Sequence, residues 1–324
     1  MSDGGPVFTG GSGRSGTTVL SHLLDAHADL VRVVPTEVRF LTDHGGLIDL
    51  LEASRDHRIG RRPWRLLPDR WRGTRGVTAA SFARRLRTHW YHRVGRDGLV
   101  RGLHRGGLEV ATVERLLDGF EDRFRRDPRS AARDVATGIM VALAHGSPRW
   151  VETTPGNALR PAGLLDLFPA MHLLHIVRDG RDTAASVATR SWGPNDLFAA
   201  LDWWADRMTR AYTALEGFDP QRALTIRLED LVLRDREATY ERIRTFLELP
   251  PDDGMRAFFD TRLTPERGHL GRWRRQLPGA ADAERFDARY RDHLVALRDR
   301  FGPVPPTEDL ELPRAGRPGE DADR

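Results

Sequence analysis

The segment that most constrains this chain is residues 7–20, which read VFTGGSGRSGTTVL. A short apolar run precedes a glycine-rich turn and a helix start, so the segment predicts a strand, a loop and a helix. Glycines let backbone N–H groups approach an anion closely, and the first turn of the helix adds unpaired N–H groups and the positive end of its dipole. The sequence therefore predicts a phosphate-binding loop at the carboxyl end of a strand.

This loop departs from the Walker A motif of P-loop kinases and nucleoside triphosphatases, G-x-x-x-x-G-K-[ST]. With Gly11 and Gly16 aligned to its two glycines, Thr17 stands where the lysine that reaches the terminal phosphates is required. The basic residue of the loop is instead Arg14. A nucleotide kinase or triphosphatase stays an alternative, although it would lack its lysine.

Composition indicates a globular protein. The 324 residues are 39% hydrophobic and 30% charged, which allows one domain over residues 1–302 with an insertion over about 41–147. A tail over residues 303–324, rich in Pro, Gly and acids, is expected to be disordered. No run approaches the roughly 18–20 apolar residues of a membrane span, and a candidate strand near residue 6 leaves no room for a signal peptide, so we expect a cytoplasmic location. The absence of cysteine excludes disulfides, thiolate metal sites and a cysteine nucleophile.

All 51 basic residues are arginine, and they face 47 acids for a net charge of only +4. Arginines and acids alternate through most of the chain, which is typical of a solvated surface and predicts no nucleic-acid partner. The alternative is a non-enzymatic anion- or RNA-binding protein. Its support is residues 58–75, where arginines alternate with Trp64 and Trp71 and could follow a phosphate backbone.

Short apolar runs separated by helical patterns predict an α/β fold, with a parallel β-sheet flanked by helices. A polar segment follows each run, and because ligands bind beyond the carboxyl ends of parallel strands, we expect these five segments to converge. The insertion shows helical spacing and is expected to cap the crevice. Candidate strands are residues 7–9, 30–34, 149–151, 172–177 and 223–228; candidate helices are 81–94, 109–125 and 130–144, and 197–215 with Trp203, Trp204 and Met208 on a core face.

The loop GGSGRSGTTVL resembles the 5′-phosphosulfate loop of sulfotransferases that use 3′-phosphoadenosine 5′-phosphosulfate (PAPS). Residues 175–186, HIVRDGRDTAAS, resemble the 3′-phosphate motif of the same family, in which an arginine ends a strand and a serine follows eight residues later. Two motifs for opposite ends of one nucleotide, in the family's order, point to this family more specifically than either motif does alone. The resemblance implies a P-loop-like fold, PAPS as donor, adenosine 3′,5′-bisphosphate as product, and a transfer that needs no metal.

The resemblance also implies roles for residues at both ends of the donor. Arg14 would contact the 5′ side and stabilise the leaving phosphate, because arginine and helix N-termini stabilise developing negative charge. The alternatives are a surface glycine turn for the loop and a salt bridge of Arg178 with Asp179 or Asp182. The residues that would complete the 5′-phosphosulfate loop are Ser15, Gly16, Thr17 and Thr18. The residues that match the 3′-phosphate positions are Arg178, Ser186 and Arg190. The loop that closes over that phosphate in the family is similar to Arg267 and Gly268, followed by GRWR.

The helical spacing of four predicts that Ser186 and Arg190 lie on one helix face. Together with Arg178 they are most similar to the tyrosylprotein sulfotransferases. One departure concerns Glu152-Thr153-Thr154-Pro155, which stands where many bacterial members read E-K-T-P. The lysine that would stabilise the transferring group is replaced by Thr153, so we expect this threonine to offer the acceptor only a hydroxyl.

Transfer to a hydroxyl requires a base within hydrogen-bond reach of the acceptor oxygen. Glu37, followed by Arg39, resembles the Glu-x-Arg of tyrosylprotein sulfotransferases, in which the glutamate is the base and the arginine lies near the acceptor. Cytosolic family members use a histidine instead, and His104 and His145 are the alternatives here. The acceptor is a small molecule, a glycan or a peptide, with an amine as the alternative to the hydroxyl.

Overall fold

In a computed structural model that describes residues 4–56, 77–94, 98–268, 270–308 and 310, the five predicted runs form one parallel sheet. The predicted α/β fold is confirmed. Two further short strands form a separate antiparallel pair within the insertion. In chain order the strands are β1 (Val7–Gly10), β2 (Val31–Arg32), β3 (Arg93–Val94), β4 (Val100–Arg101), β5 (Trp150–Glu152), β6 (His172–Val177) and β7 (Ala223–Arg227).

The main sheet has the order β2-β5-β1-β6-β7, so the strand that precedes the phosphate loop is central. Val7 lies opposite Val151 of β5 and His172 of β6. The chain runs from β1 to one edge, returns through β5, and then crosses to β6 and β7 on the other side. A crevice forms at the carboxyl end of the sheet where strand order reverses in this way, which places the loop after β1 at its centre.

Helices connect and cover the strands, and several of their N-termini carry capping residues. Asp127, Asp196 and Asp252 each accept a hydrogen bond from a backbone N–H in the first helical turn, which satisfies a donor that the helix itself cannot. The helices are α1 (Thr17–Asp25), α2 (Leu47–Asp56), α3 (Ala79–Arg85), α4 (Val110–Leu117), α5 (Phe120–Arg126), α6 (Pro128–Leu143), α7 (Pro161–Leu167), α8 (Gly180–Val187), α9 (Leu197–Leu215), α10 (Arg236–Phe246), α11 (Asp253–Arg262), α12 (Pro265–Gly268) and α13 (Ala280–Phe301).

Successive strand residues face opposite sides of the sheet and fill two different cores. Phe8 and Leu173 pack with the insertion helices on one face, whereas Val7 and Leu174 pack with α1, α10 and α11 on the other. A third apolar cluster joins Val177 at the end of β6 to α8, α9 and α13. Two-sided burial explains why these strands read as continuous apolar runs.

The insertion differs from its prediction in two places. The helix predicted over 81–94 is wrong past Trp90, because the chain turns there and Arg93 enters the β3–β4 pair. The helix predicted over 109–125 is two helices, since Gly119 adopts a left-handed φ of 58° between them. Much of the insertion packs on the sheet, and its residues 42–44, 52, 93 and 101 line the crevice.

Residues beyond α13 also differ from expectation. Thr307 is fully buried, and the Tyr212 hydroxyl donates to the carbonyl of Pro305, so residues 303–308 pack against α9 and α13. The arginine-rich segment 58–75 and the tail residues 311–324 lie outside the described residues. No helix in the described part of the chain has both the length and the apolar character needed to cross a membrane.

Candidate active site

Four of the five polar segments converge on one cleft of about 2070 Å³ at the carboxyl ends of the strands. Each of the four contributes at least one residue to its wall, as the topology predicts. The first to the fourth segments contribute, among others, Arg14, Glu37, Thr154 and Arg178. The fifth segment, residues 229–231, contributes none, and the cleft is lined there by the flanking Leu228 and Val232.

The phosphate loop owes its shape to left-handed backbone conformations. Gly13, Arg14 and Gly16 have φ values of 88°, 60° and 109°. A Cβ on Gly16 would lie 3.1 Å from a methyl of Ile176 and 3.2 Å from one of Leu228, so a side chain there would be both strained and crowded. Leu228 thus packs closely against the loop.

The other loop residues differ in exposure. Thr17 and Thr18 open α1 and line the cleft. Ser15 is fully buried, and within the described residues its Oγ has no hydrogen-bond partner. A buried hydroxyl with unused hydrogen-bonding capacity beside a turn of this kind is consistent with a polar ligand at the loop.

Three arginines meet at the mouth of the loop. Arg14 Nε donates to Ser186 Oγ at 3.0 Å, and Arg178 Nη1 donates to the carbonyl of Arg14 at 3.3 Å. Desolvation lowers the pKa of Arg14, and the charges of Arg190 and Arg178 lower it further. Like charges held this close repel one another, and an anion placed among them would relieve the repulsion. The structure thus brings Arg14, Arg178, Ser186 and Arg190 together.

Arg178 also anchors the segment predicted to close over the 3′-phosphate. Its Nη2 donates to the carbonyl of Gly268 at 3.2 Å, and both Arg267 and Gly268 line the cleft. Asp182 accepts from Gly271 N at 2.7 Å and from Trp273 N at 3.3 Å, whereas it lies 4.0 Å from Arg178. The short bonds of Asp182 therefore hold the GRW loop in place, and a simple Arg178–Asp182 salt bridge does not account for the geometry.

Two predicted residues lie elsewhere than expected. Helix α8 ends at Val187, so Arg190 sits in the turn beyond it and does not share a helix face with Ser186. That helical spacing was wrong, because the chain leaves the helix before residue 190. Thr153 is buried beneath the cleft surface, and its neighbour Thr154 takes the position in the wall.

Glu37 lies in the cleft wall, where its carboxyl is accessible but surrounded by protein. Desolvation raises its pKa; Arg39 opposes this rise and Asp43 adds to it. Arg39 has a left-handed φ of 61° and forms an ion pair with Asp43 at 3.0 Å. A carboxylate with a raised pKa holds a proton more strongly than an ordinary glutamate, which is the property a general base requires.

The loop that carries Glu37 rests on a buried carboxylate that sequence reasoning did not select. Glu152 is fully buried and accepts from Val38 N at 3.2 Å, Thr154 N at 2.9 Å and Asn157 Nδ2 at 2.5 Å. Burial raises the pKa of Glu152, and these hydrogen bonds oppose the rise. The sequence signal for Glu152 was an acid at the end of an apolar strand. Such a carboxylate needs several hydrogen-bond donors to remain buried, so it indicates a fixed polar network.

His44 lines the cleft and lies 3.4 Å from a carboxylate oxygen of Asp49, whereas the two histidines weighed as alternatives to Glu37 lie elsewhere. His104 bonds through Nδ1 to the carbonyl of Tyr91, and neither His104 nor His145 lines the cleft. His175 is fully buried, which lowers its pKa to about 4. Within the described residues no group of three or more His, Asp or Glu side chains is placed to hold a metal ion.

The helix predicted over 197–215 is confirmed as α9. Trp204 and Met208 are fully buried, and Trp203 is partly buried against the same core cluster while it also lines the cleft with Arg207 and Trp192. These three residues were not predicted as site residues. For Trp203 and Arg207 the available signal was their spacing of four residues along α9, whereas Trp192 lies before this helix.

The fold and the site define a parallel α/β protein with a phosphate loop and an arginine cluster over its central strand. Comparison with known proteins gives the family: residues 6–253 match the model of the sulfotransferase family. The chain belongs to this family, and the resemblance noted from its motifs is confirmed.

Individual relatives are more distant. A curated relative, protein-tyrosine sulfotransferase A of Caenorhabditis elegans, is 30% identical over 120 residues, which is 36% of this chain and 31% of that protein. The sulfotransferase domain of the Synechococcus PCC 7002 olefin synthase has 17% identity and a TM-score of 0.47, covering 88% of this chain and 94% of that one. Mouse sulfotransferase SULT7A1 complexed with PAP has 12% identity and a TM-score of 0.43, with coverages of 91% and 85%.

Proposed function

We propose that this protein is a PAPS-dependent sulfotransferase that transfers a sulfuryl group to a hydroxyl of its acceptor. The observation that carries the proposal is the meeting of an arginine cluster and a carboxylate of raised pKa in one cleft of a sulfotransferase-family chain. When bound, PAPS would supply the sulfuryl group and leave as adenosine 3′,5′-bisphosphate.

The residues present fit such a donor. Gly13 and Gly16 allow backbone N–H groups to approach the 5′ end, where Arg14 would stabilise the charge that develops on the leaving phosphate. Arg178, with Ser186 and Arg190, would bind the 3′-phosphate. The mutual repulsion of these arginines supports this assignment, because a dianion would offset it.

Glu37 is the proposed general base. It would accept the hydroxyl proton as the acceptor oxygen attacks sulfur, so that the new O–S bond forms while the bond to the leaving phosphate breaks. Glu152 would act through the backbone of Val38 to fix the adjoining loop, which makes it a positioning residue. Arg39 would lie beside the acceptor. The hydroxyl of the buried Thr153 would lie beneath the cleft wall on the acceptor side.

The test is calorimetric titration with adenosine 3′,5′-bisphosphate, ATP and 5′-AMP in buffer without magnesium. We expect tight binding of the bisphosphate and weak binding of both other nucleotides, since only the bisphosphate carries a 3′-phosphate. A preference for ATP that appears when the titrations are repeated with magnesium added would overturn the proposal in favour of the kinase alternative.

A further inference from the structure

One face of helix α9 lines the cleft and carries two arginines. The proposed donor site does not use this face. Trp203, Arg207, Arg210 and Ala214 follow one another at spacings of four, three and four residues, so they lie on one face. At 1.5 Å per residue this face is about 16 Å long. Together with Arg300 of α13, these residues form what we call the α9 groove.

The groove begins at the phosphate loop. A Cβ built on Gly13 would lie 3.6 Å from the Trp203 ring and 3.8 Å from the Trp192 ring. The two indoles lie 5.8 Å apart at 56°, and Trp192 is 59% exposed. An exposed aromatic pair beside a polar loop can bind an apolar or aromatic group. The groove therefore continues outward from the place where the sulfuryl group would lie.

The charge of the cleft is unbalanced. Eleven arginines line the described part of the cleft, against three carboxylates. Several of these arginines are already paired: Arg160 with Asp49 and Arg210 with Asp206. Arg14, Arg178 and Arg267 belong to the proposed donor site. The excess of positive charge that remains in the groove is carried by Arg207 and Arg300.

Arg207 is the most unusual of these residues. Its Nε is buried with no hydrogen-bond partner within the described residues, and its guanidinium carbon lies 5.5 Å from the centre of the Trp203 ring. Desolvation lowers its pKa, as does the charge of Arg210, while Asp206 opposes them. Arg300 donates to Thr213 Oγ1 at 3.0 Å at the far end of the groove. A desolvated guanidinium without a carboxylate is costly unless an anion binds to it.

We propose that the α9 groove binds an acceptor which carries, besides the hydroxyl to be sulfated, an anionic group held by Arg207 and Arg300. The apolar part of this acceptor lies against Trp192 and Trp203. The inference rests on the proposed function and narrows its acceptor to hydroxyl compounds that bear a carboxylate, sulfate or phosphate. Each of these anions presents two oxygen atoms that match the guanidinium, which binds them with two parallel N–H bonds.

The test uses two probes that differ in charge alone, 4-hydroxyphenylacetate and 4-hydroxyphenylacetamide. Each is titrated calorimetrically into protein saturated with adenosine 3′,5′-bisphosphate, so that the donor arginines are already occupied. We expect the acid to bind about tenfold more tightly than the amide, as one charge-assisted contact provides. Arg207→Gln should abolish this preference, Arg207→Lys should retain part of it, and the bisphosphate should bind both variants as tightly as the wild type.

The control is Arg115→Gln on α4, which removes the same charge from an exposed arginine outside the cleft. Arg115 donates a hydrogen bond to Thr112, as Arg300 does to Thr213. It should keep the full preference. Equal affinity for the two probes in the wild type, or an undiminished preference in Arg207→Gln, would overturn the groove assignment while leaving the donor site intact. Failure of the wild type to bind the bisphosphate would instead overturn the proposed function, and this inference with it. The wild-type comparison decides the matter even if Arg207→Gln does not fold.

Discussion

The two ends of the cleft are built in different ways. At the phosphate loop, left-handed glycines and residues only a few positions apart create the site, and distant residues such as Arg178 and Gly268 reinforce it through backbone carbonyls. Along α9 the wall consists of side chains whose neighbours come from other elements, such as Arg300. A backbone-built site has few ways to change, whereas side chains can be exchanged without altering the fold. The donor end is therefore the constrained end, and the groove is where acceptor choice can differ.

The largest expected effect separates chemistry from donor binding. Glu37→Gln should lower kcat by about 10²–10⁴, because the amide cannot accept the hydroxyl proton. Affinity for adenosine 3′,5′-bisphosphate should change little, since Glu37 is not among the donor residues. Turnover and calorimetry on the same preparation measure both. Wild-type turnover in this variant would remove Glu37 from the mechanism.

The next effect lies at the donor end. Arg178→Ala should weaken bisphosphate binding about 100-fold, because it removes a nearly buried cation together with its bonds to Arg14 and Gly268. Arg190→Ala is the matched variant: it removes an exposed arginine of the same cluster and should cost less. If the two variants lost equal affinity, the claim that the donor end depends on its buried framework would fail.

A smaller effect is expected at the buried carboxylate beneath the loop that carries Glu37. Glu152→Gln should lower the free energy of unfolding by roughly 1–3 kcal/mol, because the new amide turns N–H groups toward Thr154 and Asn157, which are donors themselves. Well below the melting temperature, kcat should also fall while the bisphosphate dissociation constant is unchanged. Chemical denaturation and steady-state kinetics measure these quantities. A stability loss with unaltered kcat would show that Glu152 supports the fold but does not position Glu37.

The mildest test changes only pH. Glu37 must be ionised to act as a base, and its pKa is raised by desolvation. Activity should therefore fall as pH decreases through a value above the ordinary range of a glutamate, and should be present above it. A kcat/KM profile reports this acidic limb. An acidic limb at the ordinary glutamate pKa would indicate that the cleft does not desolvate this carboxyl.

Much of this protein could be predicted from its sequence because the signals were local. The glycine spacing around Arg14 determines a backbone shape, and uninterrupted apolar runs determine strands buried on both faces, so the loop and all five sheet strands were predictable. The structure of the insertion was less predictable from the sequence. Gly119 splits a predicted helix through its left-handed backbone, and Arg93 ends another by pairing with Arg101, so a turn and a strand pair override the helical spacing.

Other features were decided by the tertiary structure alone. Whether Thr153 or Thr154 faces the cleft, and whether Trp203 lies in the core with Trp204 or in the wall with Arg207, depends on which neighbours each element packs against. The same holds for Glu152, whose four hydrogen-bonding groups come from two separate segments. The sequence by itself determined the phosphate loop, the strands and the order of the motifs, since these follow from backbone geometry and periodicity. Only the fold decided which side chains share the acceptor end, since contacts such as that of Arg300 with Thr213 join residues 87 positions apart.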